Sequence, residues 1–120
     1  MRPLVLLCIA VLSVACAAEP PATEPVARGR QLYQPLDCGS CHESRFGGLL
    51  PRSAPPLDHI GTVAETRQPG TSAADYLRES IASPGAYIVP GYRDTMPRGL
   101  AQRLSPDDVD ALVAYLLSLR

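Results

Sequence analysis

The segment Cys38-Gly39-Ser40-Cys41-His42 constrains this chain more than any other feature, because it places two thiols and an imidazole within five residues. The chain has 120 residues, so it can form one small domain. Its aromatic residues are five Tyr and one Phe, with no Trp, so such a domain buries little apolar surface of its own. Small domains of this kind need a disulfide, a metal or a cofactor for stability, and the four cysteines are the natural attachment points.

Composition and charge exclude several classes of protein. The 11 basic residues, all arginine, nearly balance 12 acidic residues, so there is no basic surplus to neutralise a nucleic acid backbone. Thirteen prolines and nine glycines are scattered along the chain without a period, which excludes collagen and long coiled coils. The chain should therefore consist of short helices separated by turns.

Cys-x-x-Cys-His is the attachment motif for haem c. Two thiols three positions apart can form thioethers to the same porphyrin edge, and the next residue, His42, can then reach the iron. A thioredoxin-like redox pair would need a βαβ unit, and no strand-like alternation is visible. A zinc site would need a second ligand pair, and a Cys38–Cys41 disulfide would close too small a ring to contribute much. We predict one haem, bound covalently through Cys38 and Cys41.

The sixth ligand of the iron can be argued by elimination. Met96 is the only methionine outside the leader, and it lies among polar residues and turn formers rather than on an apolar helix face. His59 is the rival, but it follows His42 by only 17 residues and the chain must first pass the haem edge. Met96 is therefore favoured over His59.

The first residues are typical of an export signal. Arg2 precedes an unbroken apolar run, Leu4–Leu12, which is too short to span a bilayer. Small residues before Cys16 favour a lipoprotein signal that comprises residues 1–15. The alternative is ordinary cleavage near Ala17 or Ala18, followed by release. Residues 16–25 would then be a lipidated cysteine and a proline-rich tether, and 26–120 the domain. We expect the domain to lie in a bacterial periplasm or on the outer face of the cytoplasmic membrane, anchored by the lipid.

Apolar spacing and capping signals predict an all-α domain. The helices are a short one over Val26–Tyr33, one that follows the N-cap Ser72 and stops before Pro84, and a terminal one from Ser105 to Leu119. The intervening segments, Gly47–Gly61 and Pro84–Leu104, are expected to be loops.

From Val26 to its last residue the chain resembles the class I c-type cytochromes. The features that carry this resemblance are the haem motif, Pro55-Pro56-Leu57, Met96-Pro97 and the terminal helix. The resemblance implies a small cytochrome c fold of about three to five short helices wrapped around one covalent haem. It also implies that the carbonyl of Pro55, or else of Pro56, accepts a hydrogen bond from the axial histidine. A contact between Gly29 and Tyr115, where the first and last helices cross, is expected on the same ground.

A narrower resemblance rests on residues 83–92, Ser-Pro-Gly-Ala-Tyr-Ile-Val-Pro-Gly-Tyr, followed by Met96-Pro97. This segment is similar to the haem domains of respiratory assemblies, such as the caa3-type oxidase haem domain and the mono-haem subunit of alternative complex III. The resemblance implies that Tyr92 and Arg67 are candidates for contact with a haem propionate.

Together these features predict an electron carrier rather than an enzyme. A membrane-tethered cytochrome with His/Met ligation would carry single electrons to or from the protein partners of a respiratory or photosynthetic complex. No nucleic acid or small-molecule substrate is expected. The alternative is a peroxidase or gas sensor in which the methionine can be displaced.

Overall fold

A computed structural model describes residues 24–43 and 52–120. Within these residues the chain forms five α-helices, one short 3-10 helix and no β-strand. This confirms the all-α fold predicted from the sequence. The elements are α1 (Pro25–Tyr33), α2 (Gly39–His42), α3 (Ile60–Arg67), α4 (Ala73–Ala82), the 3-10 helix (Ala101–Arg103) and α5 (Pro106–Ser118).

Local capping explains where three of the helices begin. Ser72 and Ser105 each accept a hydrogen bond at 3.1 Å from the backbone N–H three residues later, at the starts of α4 and α5. The carboxylate of Glu24 does the same for α1 at 2.9 Å. Pro25 and Pro106 occupy first-turn positions, where a missing N–H removes no helical hydrogen bond.

Helices α1 and α5 cross in close contact at Gly29. A Cβ atom at this position would lie 2.0 Å from the carbonyl oxygen of Ala111 and 2.7 Å from Cβ of Tyr115, so only glycine fits. One turn further, the rings of Tyr33 and Tyr115 meet edge to face with centroids 5.5 Å apart. The expected contact between Gly29 and Tyr115 is confirmed.

The apolar core lies where α1, α3, α4 and α5 meet. The apolar stripes predicted for α4 and α5 supply most of it, since side chains three and four positions apart share one helix face. Its buried members are Tyr33, Ile60, Ala64, Tyr76, Leu77, Ile81, Leu112, Val113 and Leu116.

Helix α3 has no counterpart in the sequence-based expectations. Its residues include a glycine and three β-branched side chains after Ile60, and no side chain caps its start. Tertiary contacts hold it instead: Ile60 and Ala64 are 3% and 0% exposed. The N–H of Gly61 donates to the carbonyl of Leu119 at 2.8 Å, and a Cβ at this glycine would meet the carbonyl oxygen of Leu117 at 2.2 Å. The helix is therefore specified by its packing against the end of α5.

The predicted leader, residues 1–15, and the tether up to residue 23, including Cys16, lie outside the described residues. Within 24–43 and 52–120, none of the helices combines the length and the apolar character that crossing a bilayer requires.

An ion pair between α1 and α5 should make stability depend on pH. Nε of Arg28 donates to Oδ1 of Asp108 at 2.8 Å, and this hydrogen bond is the main cause that lowers the pKa of Asp108. Because the folded pKa is lowered, the pair stabilises the fold above the unfolded pKa of about 3.9 and loses this effect as the pH falls further.

We expect Asp108→Asn to lower the free energy of unfolding at pH 7 by up to about 1 kcal/mol, since the pair is partly exposed. The difference from wild type should be smaller at about pH 3, because it is lost progressively as the pH falls from the unfolded pKa of about 3.9 through the lowered pKa of folded Asp108. Urea unfolding followed by circular dichroism at both pH values measures this. A difference that does not decrease at the lower pH would show that the charge of Asp108 is not its source.

Candidate cofactor site

A cavity of about 240 Å³ lies between α2, α4, α5 and the segment 84–100. Its wall is mostly apolar, with Leu77, Ile81, Val89, Leu100, Leu112 and Leu116 among the lining residues. Arg67, one of the residues assigned to the cofactor from sequence, does not line it. The others do: Cys38, Cys41, His42, Pro55, Tyr92 and Met96.

The two cysteines reach the cavity through a sharp turn between α1 and α2. Asp37, directly before the motif, adopts a left-handed backbone with φ of 58°, which a non-glycine residue rarely does. Its carbonyl accepts a hydrogen bond from the Ser40 hydroxyl at 2.8 Å, and this contact ties the turn to α2. Cys38 and Cys41 are half-buried free thiols, and burial raises the pKa of the Cys38 thiol. Both cysteines therefore line the cavity as free thiols, which is the form that can be joined covalently to a cofactor.

The imidazole of His42 is oriented by a backbone carbonyl. Nδ1 of His42 lies 2.6 Å from the carbonyl oxygen of Pro55. Since a carbonyl can only accept, Nδ1 carries the proton and Nε2 keeps its lone pair. Burial lowers the pKa of His42, although the Pro55 contact opposes this, so the ring is neutral near pH 7. A neutral imidazole with a fixed tautomer is suited to bind a metal through Nε2.

Met96 enters the cavity wall from a loop between two glycines. Gly91 and Gly99 both have positive φ, 89° and 83°, and so turn the chain into and out of this loop at little steric cost. Met96 is half-buried and lines the cavity. His59 is exposed and is not among the lining residues.

Four of the five tyrosines line the cavity, whereas the resemblance to respiratory haem domains implies a cofactor contact only for Tyr92. Tyr33 is 5% exposed, and burial together with the Glu43 carboxylate raises its pKa, so its phenol stays neutral. Tyr76 and Tyr87 meet edge to face with ring centroids 5.9 Å apart. No spacing along the chain could have indicated this set, because the rings come from different elements of the fold.

Arg67 lies at the end of α3, behind the cavity wall. Its carbonyl accepts a hydrogen bond from the hydroxyl of Tyr87, which lines the cavity, at 3.2 Å. Its side-chain Nε is buried with no hydrogen-bond partner in the described part of the chain. A buried donor without a partner is costly to the folded state.

The donor set fits haem c better than a metal ion held by the protein alone. Within residues 24–43 and 52–120, no group of three or more His, Cys, Asp and Glu side chains could hold a metal ion. A structural zinc site needs four such ligands, so these residues do not provide one. Two free thiols, one neutral imidazole and an apolar cavity are what a covalently attached porphyrin requires.

Comparison with known proteins agrees with this assignment. The sequence model of the family described as cytochrome c matches residues 26–120. No curated protein and no solved structure matches the chain. With most of its length matched, the chain belongs to the cytochrome c family of haem-based electron carriers, and it binds haem c covalently through Cys38 and Cys41.

Proposed function

We propose that this protein is a membrane-tethered mono-haem cytochrome, with His42 and Met96 as axial ligands, that serves a respiratory or photosynthetic complex. The observation that carries the ligation is the shared cavity: Met96 lines it together with His42 and both cysteines, whereas His59 is exposed outside it. The tether and the complex rest on the sequence patterns at the leader and at residues 83–92.

Each residue of the site would have a separate role. Cys38 and Cys41 hold the porphyrin in place, and the bound haem supplies a one-electron couple between Fe(II) and Fe(III). The Pro55 carbonyl keeps the His42 ring in one orientation at 2.6 Å, so the ligand does not move when the charge changes. Met96 offers a neutral, soft thioether, and this favours Fe(II) and a high reduction potential.

The apolar wall would support the same redox role. Leu77, Leu112 and Leu116 are 3%, 3% and 7% exposed and line the cavity, so they keep water from its inner side. A wall of low polarity disfavours the additional charge of the oxidised state and so raises the potential further. With both axial positions filled by the chain, a small molecule would have to displace Met96 before it could react. The proposed role is therefore that of a carrier without catalytic activity.

The acidic edge of the cofactor would lie near Tyr92 and Arg67. Tyr92 is half-buried in the cavity wall. We keep Tyr92 as a candidate for direct contact with a propionate, whereas Arg67 does not line the cavity and is kept only on the resemblance to respiratory haem domains.

The tether would enter the domain away from the cofactor. The chain joins α1 at Pro25, and Tyr33 at the other end of this helix lines the cavity. These residues are about 12 Å apart along the axis, at about 1.5 Å per residue. A lipid on Cys16 would thus hold the domain at the outer face of a bacterial membrane while the cavity side remains accessible to partners. Tethering also raises the effective concentration of a transient redox partner.

The charge of the mature chain agrees with docking inside a complex. Loss of the leader with Arg2 leaves ten arginines against twelve acidic residues and no lysine, a net charge of −2. Because the chain has no lysine, it cannot present a ring of lysine side chains to a soluble partner. Contacts would depend instead on local patches of the domain.

One preparation tests both parts of the proposal. The full chain is produced in a bacterium that attaches haem c, and membranes are separated from the soluble fraction. We expect wild type in the membrane fraction and Cys16→Ser in the soluble periplasmic fraction. Equal partition of the two proteins would contradict the lipid anchor.

The visible spectrum of the purified wild-type protein then tests the ligation. We expect a weak far-red ferric iron–sulfur band, reversible one-electron reduction and no rapid carbon monoxide binding to the reduced protein. Absence of the band together with fast carbon monoxide binding would favour the peroxidase or gas sensor instead.

A further inference from the structure

The loop that carries Met96 is tied to the rest of the cavity wall by an arginine. Its ends are the positive-φ residues Gly91 and Gly99. The N–H of Tyr92 donates to the carbonyl of Val89 at 3.0 Å at the start of the loop, and the bond from Thr95 to Arg93 at 2.9 Å, next to Met96, is internal to the loop. This bond does not fasten the loop to its surroundings. A contact that does so would control how easily Met96 leaves the cavity.

The guanidinium of Arg98 makes such a contact. It donates to Oδ2 of Asp94 at 2.5 Å, so the ion pair spans Met96 from two residues before it to two residues after it. A Cβ atom at Gly85 would lie 2.8 Å from both terminal nitrogens of Arg98, so the guanidinium rests directly on this glycine. Gly85 follows the buried, cavity-lining Pro84, so Arg98 joins the Met96 loop to the neighbouring part of the wall.

We infer that Arg98 is a positioning residue that holds Met96 in the cavity through Asp94 and Gly85. The inference rests on the proposed His/Met ligation, since it concerns how firmly that ligand is held. Withdrawal of Met96 together with its loop would separate Arg98 from Gly85. A Cβ atom at position 85 would displace the guanidinium from this place, since the flexible end of Arg98 is the group that it would meet.

The expected effect is modest because the pair is exposed. The side chains of Arg98 and Asp94 are 67% and 40% exposed, and ion pairs of this kind are weakened by solvent. We therefore expect its loss to shift the equilibrium for displacement of Met96 by about fivefold, rather than to unfold the protein.

Binding of imidazole to the ferric holoprotein measures this equilibrium, because imidazole replaces the methionine at the iron. Three variants are compared with wild type at pH 7 and low salt. Arg98→Gln removes the guanidinium. Gly85→Ala keeps both charges and displaces the guanidinium by its Cβ, and its backbone is not in the left-handed region. Arg78→Gln is the matched control: Arg78 pairs with Asp110 at 2.8 Å, is 44% exposed and does not line the cavity.

We expect Arg98→Gln and Gly85→Ala to bind imidazole about fivefold more tightly than wild type, with Arg78→Gln within about twofold. An imidazole dissociation constant equal to that of wild type in either of the first two variants, or equally tight binding in Arg78→Gln, would overturn the inference. The proposed His/Met ligation would still hold in that case, provided that wild type shows the far-red band. If wild type lacks that band, the proposed ligation fails and this inference fails with it.

Discussion

Met96→Ala will lose the far-red ferric band, bind carbon monoxide rapidly when reduced and have a reduction potential lower by on the order of 0.1 V. The reason is that alanine offers no sulfur to the iron, so the sixth position becomes open or is taken by water. Loss of a soft, neutral ligand also removes its preference for Fe(II). Visible spectroscopy, carbon monoxide mixing and a redox titration measure the three effects on the purified holoprotein.

His59→Ala is the matched control for this experiment. His59 is exposed, precedes α3 and does not line the cavity, so its removal should leave the band and the potential unchanged. If His59 were the ligand, wild type would lack the iron–sulfur band, and His59→Ala rather than Met96→Ala would open the sixth position to carbon monoxide. That outcome would reverse the ligand assignment. The two substitutions therefore separate the two candidates that the sequence leaves open.

The double variant Cys38→Ser/Cys41→Ser, purified free of haem, will lose most of the helical signal in its far-UV circular dichroism spectrum. The helices that form the core also line the cavity of about 240 Å³, so without the porphyrin their apolar side chains face a void. At about 24 cal/mol per Å³ of closed cavity, this volume sets an upper bound of about 6 kcal/mol on the destabilisation, because the site is partly open to water. That is comparable to the total stability of a small domain, which is about 5–15 kcal/mol.

Far-UV circular dichroism and urea unfolding of the haem-free double variant measure this loss. Cys16→Ser serves as the control, because Cys16 lies before the domain and both attachment cysteines remain. Its helical signal should equal that of wild type. A native-like spectrum with cooperative unfolding in the double variant would show that the polypeptide folds without its cofactor.

Three helices, α1, α4 and α5, were predictable because their signals are local. Ser72 and Ser105 cap α4 and α5 through hydrogen bonds to residues only three positions away. Helix α3 lacks such signals and forms because Ile60 and Ala64 are buried against the other helices. Nothing within its own eight residues specifies it, so a sequence pattern could not reveal it.

The residues of the cofactor site also divide into those that a local sequence pattern identifies and those that only the fold brings together. Cys38, Cys41 and His42 are identified by a motif, because attachment to one porphyrin edge needs these groups close together in the chain. Pro55 is expected only from the resemblance to the family, and its contact with His42 joins residues 13 positions apart. No sequence pattern assigns Tyr33, Tyr76 and Tyr87 to the cavity, since they reach it from α1, α4 and the following loop.

The amino-acid sequence by itself determines the chemistry that depends on neighbours along the chain. This chemistry includes the covalent attachment of haem c, the starts of the capped helices and the methionine available as a ligand. Tertiary packing alone brings Met96 into the same cavity as His42, leaves His59 outside it and lays Arg98 across Gly85. The physical reason is that these contacts join residues from separate elements, and their distances depend on how the whole chain folds around the cavity.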